Sequence, residues 1–220
     1  MAKTVLITGA SKGIGFALAN RFHAAGYTVI GTSRAGTETF LGRMLPLDLR
    51  QQESIAALEA RLAANNTKID ILINNAGIGP DLSGTIPATD SFAETFAVNL
   101  SGTVFFTEAI CQHLAAGAKI INISSKMGAI ELCEGVDAPA YRMSKTALNM
   151  YTKMLANRFA GKYLVAAVHP GWVRTAISQA SLLHGRLLPE TSAERIFQFV
   201  TQPFATGVFW NAETQEYLPW

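Results

Sequence analysis

A chain of 220 residues is long for one domain and short for two. Apolar residues make up 49% and charged residues only 15%, a balance that fits a sheet covered on both faces with apolar surface left over for a subunit interface. The net charge of +2, with no basic run longer than two residues, argues against nucleic acid or another polyanion as the main partner.

Short β-branched runs at 5–7, 28–30, 69–73, 119–123 and 164–168 read as buried strands. Helical patterns fill 15–25, 51–64, 91–116 and 139–160; for the last, Asp137 and Pro139 are start signals and Gly161 a stop. A further strand ends just before Leu47-Asp48-Leu49, and 34–44 is too short for a full helix with loops, so the second crossover is abbreviated. Strict alternation of strand and helix predicts an α/β fold: one doubly wound, Rossmann-type parallel sheet in three layers, a single domain over 1–220. The first strand opens within three residues of Met1, leaving no room for a signal peptide, and no apolar run approaches the ~20 residues that span a bilayer. Cys111 and Cys133 lack metal-ligand spacing, so no metal and no disulfide is expected, and the expected location is cytoplasmic.

After the first strand comes Thr8-Gly-Ala-Ser-Lys-Gly-Ile-Gly15. Glycines at Gly9, Gly13 and Gly15 permit a tight turn and a close backbone approach to a pyrophosphate, and the helix that follows offers free N–H groups. The alternative is a glycine-rich loop that only reverses the chain. An NAD site usually carries an acid after the second strand. Here the strand ends Gly31-Thr-Ser33-Arg34, and Lys12 adds a second cation, which favours a 2′-phosphate and hence NADP(H) over NAD(H). Asp48, with Leu49 beside it, reaches an adenine edge, caps the next helix, or does both.

Farther along stand Tyr141 and Lys145, four residues apart and so on one helix face. A phenol has a pKa near ~10, and a nearby cation pulls it toward the working range. Alone, such a pair arises by chance roughly one time in five in this composition, so its context decides.

That context resembles the short-chain dehydrogenase/reductase family. The matching segments are Thr8-Gly-x3-Gly-Ile-Gly15, Asn74-Asn75-Ala76-Gly77, Asn99, Ile123-Ser-Ser125, Tyr141-x3-Lys145 and Pro170-Gly171-x-Val173-x-Thr175. Within the family, 141–149, 169–175 and the ending Leu218-Pro-Trp220 are similar to the C-factor/sniffer-type branch. The resemblance implies a catalytic set of Ser125, Tyr141, Lys145 and Asn99. It also implies a cofactor site of Gly9, Ser11, Lys12, Gly13, Ile14, Gly15, Ser33, Arg34, Asp48, Leu49, Asn75, Ala76, Gly77, Tyr141, Lys145, Pro170, Gly171, Val173 and Thr175. Ser125 is preferred to Ser124 because the family's serine stands three before a glycine, here Gly128. Ser125 and Tyr141 are sixteen residues apart, more than is usual in the family, so the loop at 130–137 is longer and reshapes the pocket wall.

The implied chemistry is hydride transfer between nicotinamide and a small carbonyl or alcohol substrate. Tyr141 acts as acid or base, Lys145 lowers its pKa and binds the nicotinamide ribose, Ser125 donates to the substrate oxygen, and Asn99 holds a water beside Lys145. The alternative is a dinucleotide-binding signalling protein with little turnover. The family likeness implies a homodimer or homotetramer through the two long helices, with a monomer open for the C-factor/sniffer branch. His169 reads as a satisfied structural histidine and Cys133 as a small buried hydrophobe. The apolar residues of 176–189 either cover an apolar substrate or belong to a helix core.

Overall fold

The computed structural model describes residues 2–36 and 42–220. Its strands are β1 (Thr4–Ile7), β2 (Thr28–Ser33), β3 (Arg43–Pro46), β4 (Ile69–Asn74), β5 (Leu114–Ile123), β6 (Leu164–His169), β7 (Val208–Asn211) and β8 (Glu216–Tyr217). Among the described residues they form one sheet in the order β3-β2-β1-β4-β5-β6-β7-β8. All neighbours pair in parallel except β7 and β8. The chain starts in the middle, winds outward to β3, then returns to β4 on the other side of β1. This reversal opens a crevice above the carboxyl ends of β1 and β4. The abbreviated second crossover falls partly on residues 37–41, which lie outside the described residues.

Helices cover both faces: α1 (Gly13–Ala24), α2 (Gln52–Ala64), α3 (Thr89–Phe96), α4 (Thr103–Ile110), α5 (Pro139–Arg158), α6 (Gln179–His184) and α7 (Pro189–Thr201). Alternate residues of the central strands serve opposite cores, as the two-residue period of a strand requires. Val5, Ile7, Ile71, Ile73, Ile121 and Val168 pack with Leu18 and Phe22 of α1 and Ile196 and Val200 of α7. Leu6, Leu72, Ile120 and Val165 pack against Leu58 of α2, Phe106 of α4 and Leu155 of α5.

The sequence-predicted helix over 91–116 is not one helix. α3 passes into a π-helical turn, Ala97–Gly102, then α4, and β5 already begins at Leu114. The alanines at 115, 116 and 118 favour a helix locally, but they lie in an irregular stretch of β5 between Leu114 and Lys119, which both pair with β4, so the strand overrides them. The π turn lies where the helix meets the loop after β3. A Cβ on Gly102 would come within 2.2 Å of the Leu49 carbonyl oxygen. The strands β7 and β8 and the helices α6 and α7 add to the predicted set.

The start of α5 also departs from expectation. Asp137 does not cap it, because its carboxylate turns to the Arg142 guanidinium at 2.6 Å. The preceding residue is Ala138, in the left-handed region (φ 54°), and it has no side chain that can accept. Asp81, from the loop after β4, fills the role, accepting from the N–H groups of Ala140 at 2.7 Å and Tyr141 at 3.3 Å. Gly161 ends the segment as expected, with φ 75°.

A buried polar ladder joins the sheet to the helices that carry the site. Asn74 Nδ2 donates to Thr107 Oγ1 and to Asn122 Oδ1, and Asn122 Nδ2 donates to Thr152 Oγ1, each at 2.8 Å. Removing one member strands a buried donor. We expect Asn122→Ala to cost about 2–3 kcal/mol of unfolding free energy, read as a lower urea midpoint with an unchanged slope.

Candidate active site

The glycine turn after β1 is locked to the end of β4. Thr8 Oγ1 accepts from the N–H groups of Asn75 and Ala76, both at 3.0 Å. Asn75 Nδ2 donates to the carbonyls of Thr8 (2.9 Å) and Gly9 (3.1 Å). This leaves no room at Gly15, where a Cβ would stand 2.2 Å from the Gly9 oxygen and 2.4 Å from Asn75 Nδ2. Gly9 and Gly13 have φ of 67° and 57°, a region that side chains disfavour. The start of α1 carries no side-chain cap and no acid in its first turn, so its N–H groups remain free for an anion.

A groove of about 740 Å³ runs over this turn. Its walls include Gly9, Ser11, Lys12, Gly13, Ile14, Ser33, Arg34, Asp48, Leu49, Asn75, Ala76, Gly77 and Thr175. Gly15 lies buried beneath it. Lys12 and Arg34 are exposed on the groove. Asp48 does not cap α2: it accepts from the Arg50 backbone and binds the guanidinium, with Nη2 at 2.6 Å from Oδ2. That hydrogen bond, aided by the charges of Arg50 and Arg34, holds its pKa below the ordinary carboxylate value.

A second cavity, of about 370 Å³, continues past Ile14, Gly77 and Thr175. Ser125, Tyr141, Lys145, Pro170, Gly171 and Val173 line it. The structure thus brings three of the four expected catalytic residues to one wall, contributed by the segment after β5 and by α5. Asn99 stands behind that wall. Its Oδ1 accepts from Ile78 N and its Nδ2 donates to Ile78 O, both at 2.8 Å, with Ser144 Oγ at 3.2 Å. A Cβ on Gly77 would meet Asn99 Oδ1 at 3.3 Å and Lys145 Nζ at 3.5 Å, so glycine lets the three groups converge.

Both serines lie on the cavity wall, with different partners. Ser124 is buried and bonded to Asn149 Oδ1 at 2.6 Å. Ser125 faces the cavity and accepts from Met127 N at 3.1 Å. Asn149, which sequence reasoning did not single out, also donates to the Gly128 carbonyl at 3.0 Å and so steadies the turn after Ser125.

Burial shapes the charges of the pair. It pushes the Tyr141 phenol up to about 12, although the Ser125 hydroxyl pulls the other way. It pushes the Lys145 ammonium down to about 8. The expected lowering of the phenol by Lys145 is therefore not seen: Nζ lies 5.6 Å from the ring centroid and donates at 2.9 Å to the Ile123 carbonyl. Desolvation outweighs the cation at that distance.

Other expectations need correction. Cys133 is exposed, not buried. Ile130, Leu132 and Val136 of the longer loop also point to solvent, and only Met127 and Asp137 of 127–137 reach the cavity wall. In the segment after Thr175, Leu182 and Leu183 are exposed and form no helix core, while Ile177 faces both cavities. That segment closes on itself, since Arg186 N and Leu187 N donate to the Trp172 carbonyl at 2.6 and 3.0 Å. Sequence reasoning gave no role to Trp172, although it stands within the 169–175 segment, and missed Glu213, which no motif marks; both lie on the cavity wall.

His169 is buried at 5% exposure, yet neither ring nitrogen has a hydrogen-bond partner among the described residues, so it is not the satisfied histidine expected. Burial, assisted by Lys126, pushes its pKa from 6.5 to about 4. The unfolded chain therefore binds a proton between these values that the folded chain refuses. Stability from this group is full above pH 6.5 and falls by about 3 kcal/mol as pH drops to 4. His169→Gln should flatten that part of the pH dependence in thermal melts across the window.

A family model described as short chain dehydrogenase matches residues 3–184. Over 185 residues the chain is 35% identical to an uncharacterized short-chain type dehydrogenase/reductase of Sinorhizobium fredii, covering 79% of this chain. It spans only 33% of that relative's length. Among solved structures, a Burkholderia multivorans protein with bound NADP superposes with a TM-score of 0.89 at 29% identity, covering 100% of both chains. An NADPH-bound carbonyl reductase from chicken fatty liver gives 0.88 at 25% identity, covering 100% of this chain and 94% of that one. The carbonyl reductase Sniffer of Drosophila melanogaster, at 24% identity and a TM-score of 0.86 over 100% of both chains, shares the fold.

Proposed function

The chain belongs to the short-chain dehydrogenase/reductase family, and on that premise we propose that it is an NADPH-dependent reductase of small carbonyl compounds. The observation that carries this reading is the shared wall of Ser125, Tyr141 and Lys145 at the inner end of a groove shaped for a dinucleotide. The cradle fits such a cofactor: glycines that a Cβ would overfill, uncapped N–H groups at α1, and Lys12 and Arg34 where a 2′-phosphate would lie. The NADP-bound and NADPH-bound relatives support the choice of cofactor. When bound, NADPH supplies the hydride.

The protein's own part is the proton and the developing charge. A phenol with a pKa raised to about 12 is neutral at pH 7 and holds the proton that a reduced carbonyl oxygen needs. The Ser125 hydroxyl donates to the same oxygen as negative charge gathers on it. An ammonium has three donors, and Lys145 uses one on Ile123 O. The remaining donors would be free for the ribose of a bound cofactor, and the ammonium, 5.6 Å from the Tyr141 ring centroid, would be the nearby cation once the phenol has lost its proton. Asn99, bonded to both backbone groups of Ile78, holds the loop behind Lys145 in place. Assembly through α4 and α5 belongs to the same reading and is supported by exposed Phe105, Met143, Met150 and Met154 on those helices.

Tyr141→Phe should abolish NADPH oxidation with a panel of aldehydes, ketones and quinones while leaving NADPH affinity within about threefold, measured by fluorescence titration. Retained turnover would remove Tyr141 from the mechanism. Arg34→Ala should weaken NADPH roughly tenfold or more and leave NADH unchanged, because only the former carries a phosphate to lose. Equal effects on both cofactors would count against the 2′-phosphate reading.

A further inference from the structure

Tyr141 is the third residue of α5 and so belongs to the turn most prone to fray. The first N–H groups of a helix have no partner within it. Ala138, at the cap position, cannot supply one. Asp81 stands 59 residues before Ala140 in sequence and accepts from both Ala140 N and Tyr141 N. It is 8% exposed, and its Oδ1 is buried with no partner among the described residues. A carboxylate is thus kept in the interior with half its acceptor capacity idle, and its one evident task is this turn.

The loop that carries Asp81 is held against the helix elsewhere too. The Ala138 N–H donates to the Gly84 carbonyl at 2.7 Å, and Gly84 N donates to Asp81 O at 2.8 Å. Gly79 lies under the phenol ring, where an added Cβ would be 3.2 Å from Tyr141 Cδ2. On its other side the same loop, from Gly77 to Pro80, forms part of the wall of the large groove. One segment therefore touches both the groove and the backbone of the proposed proton donor.

We propose that Asp81 is a positioning residue for Tyr141: its carboxylate fixes the first turn of α5, and with it the phenol, to the loop that walls the groove. This rests on the reading of Tyr141 as proton donor. Misplacement of a reacting group by about 1 Å can cost roughly a hundredfold in rate, so a frayed first turn would show in turnover before it showed in folding.

The test compares the full-length protein with Asp81→Ala, which removes the acceptor, and Asp81→Asn, which retains one. Amide hydrogen exchange at Ala140 and Tyr141 is read by NMR, and turnover is read with NADPH and either menadione or para-nitrobenzaldehyde, well below the melting temperature. In Asp81→Ala we expect exchange at these two amides to speed up at least about tenfold. We expect its kcat to fall at least about tenfold, with NADPH affinity within about threefold, and Asp81→Asn to restore most of both. Unchanged exchange in Asp81→Ala overturns the proposal, and so does faster exchange with kcat unaltered. Should Tyr141→Phe keep its turnover, the proton-donor reading fails, yet the exchange data still report whether Asp81 holds the turn. With no turnover on either probe, exchange alone decides.

Discussion

The close approach of the ends of β1 and β4 governs the rest of the molecule. Two strands adjacent in the sheet but far apart in sequence finish side by side, and the chain leaves them in opposite directions. Four hydrogen bonds join Thr8 and Gly9 to Asn75 and Ala76 across the gap, and Gly15 has no side chain because the Gly9 carbonyl and the Asn75 amide occupy its place. A methyl group there would push α1 off the sheet and tilt its free N–H groups away from the groove. The shape of the glycine turn and the packing of the first helix are therefore one constraint.

From that junction the loop after β4 runs to the wall formed by Ser125, Tyr141 and Lys145. Asn99 grips it at Ile78, and Asp81 ties it to α5. Neither contact lies within a single secondary-structure element, and both use side chains to satisfy backbone groups that the irregular segment leaves open. The π turn that carries Asn99 is part of the same arrangement, since a regular helix would set that amide differently. Burial then sets the electrostatics. Tyr141 and Lys145 both shift toward their neutral forms, so the resting site holds a protonated phenol beside a cation held less tightly than in water.

Much of this was legible in the chain. β-Branched runs of five residues or so, set between amphipathic stretches, can hardly be anything but buried strands between covering helices. Among the described residues, five of the eight strands, and the helices α1, α2 and α5, lie where that pattern puts them. Errors came where local preference and tertiary demand differ. The alanines before Lys119 are good helix formers, but the pairing of Leu114 and Lys119 with β4 on either side of them carries them into β5. Asp137 has the look of a cap, yet the Arg142 guanidinium takes its carboxylate. His169 read as a satisfied structural histidine, yet it lies on the cavity wall and its ring nitrogens have no partner among the described residues.

What the sequence by itself determined is the chemistry that depends on spacing along one element. Glycines that permit a turn, a phenol and an ammonium four apart on a helix, and cations where a NAD-type acid would stand are all local properties, written in consecutive residues. Tertiary structure alone decided which distant groups complete them. Asp81 reaches a helix that starts 58 residues later, Gly77 makes room for Lys145 and Asn99 together, and the loop at 130–137 turns its apolar side chains outward. Such contacts depend on how loops at the carboxyl edge of the sheet meet in space, and no periodicity in the chain encodes that meeting.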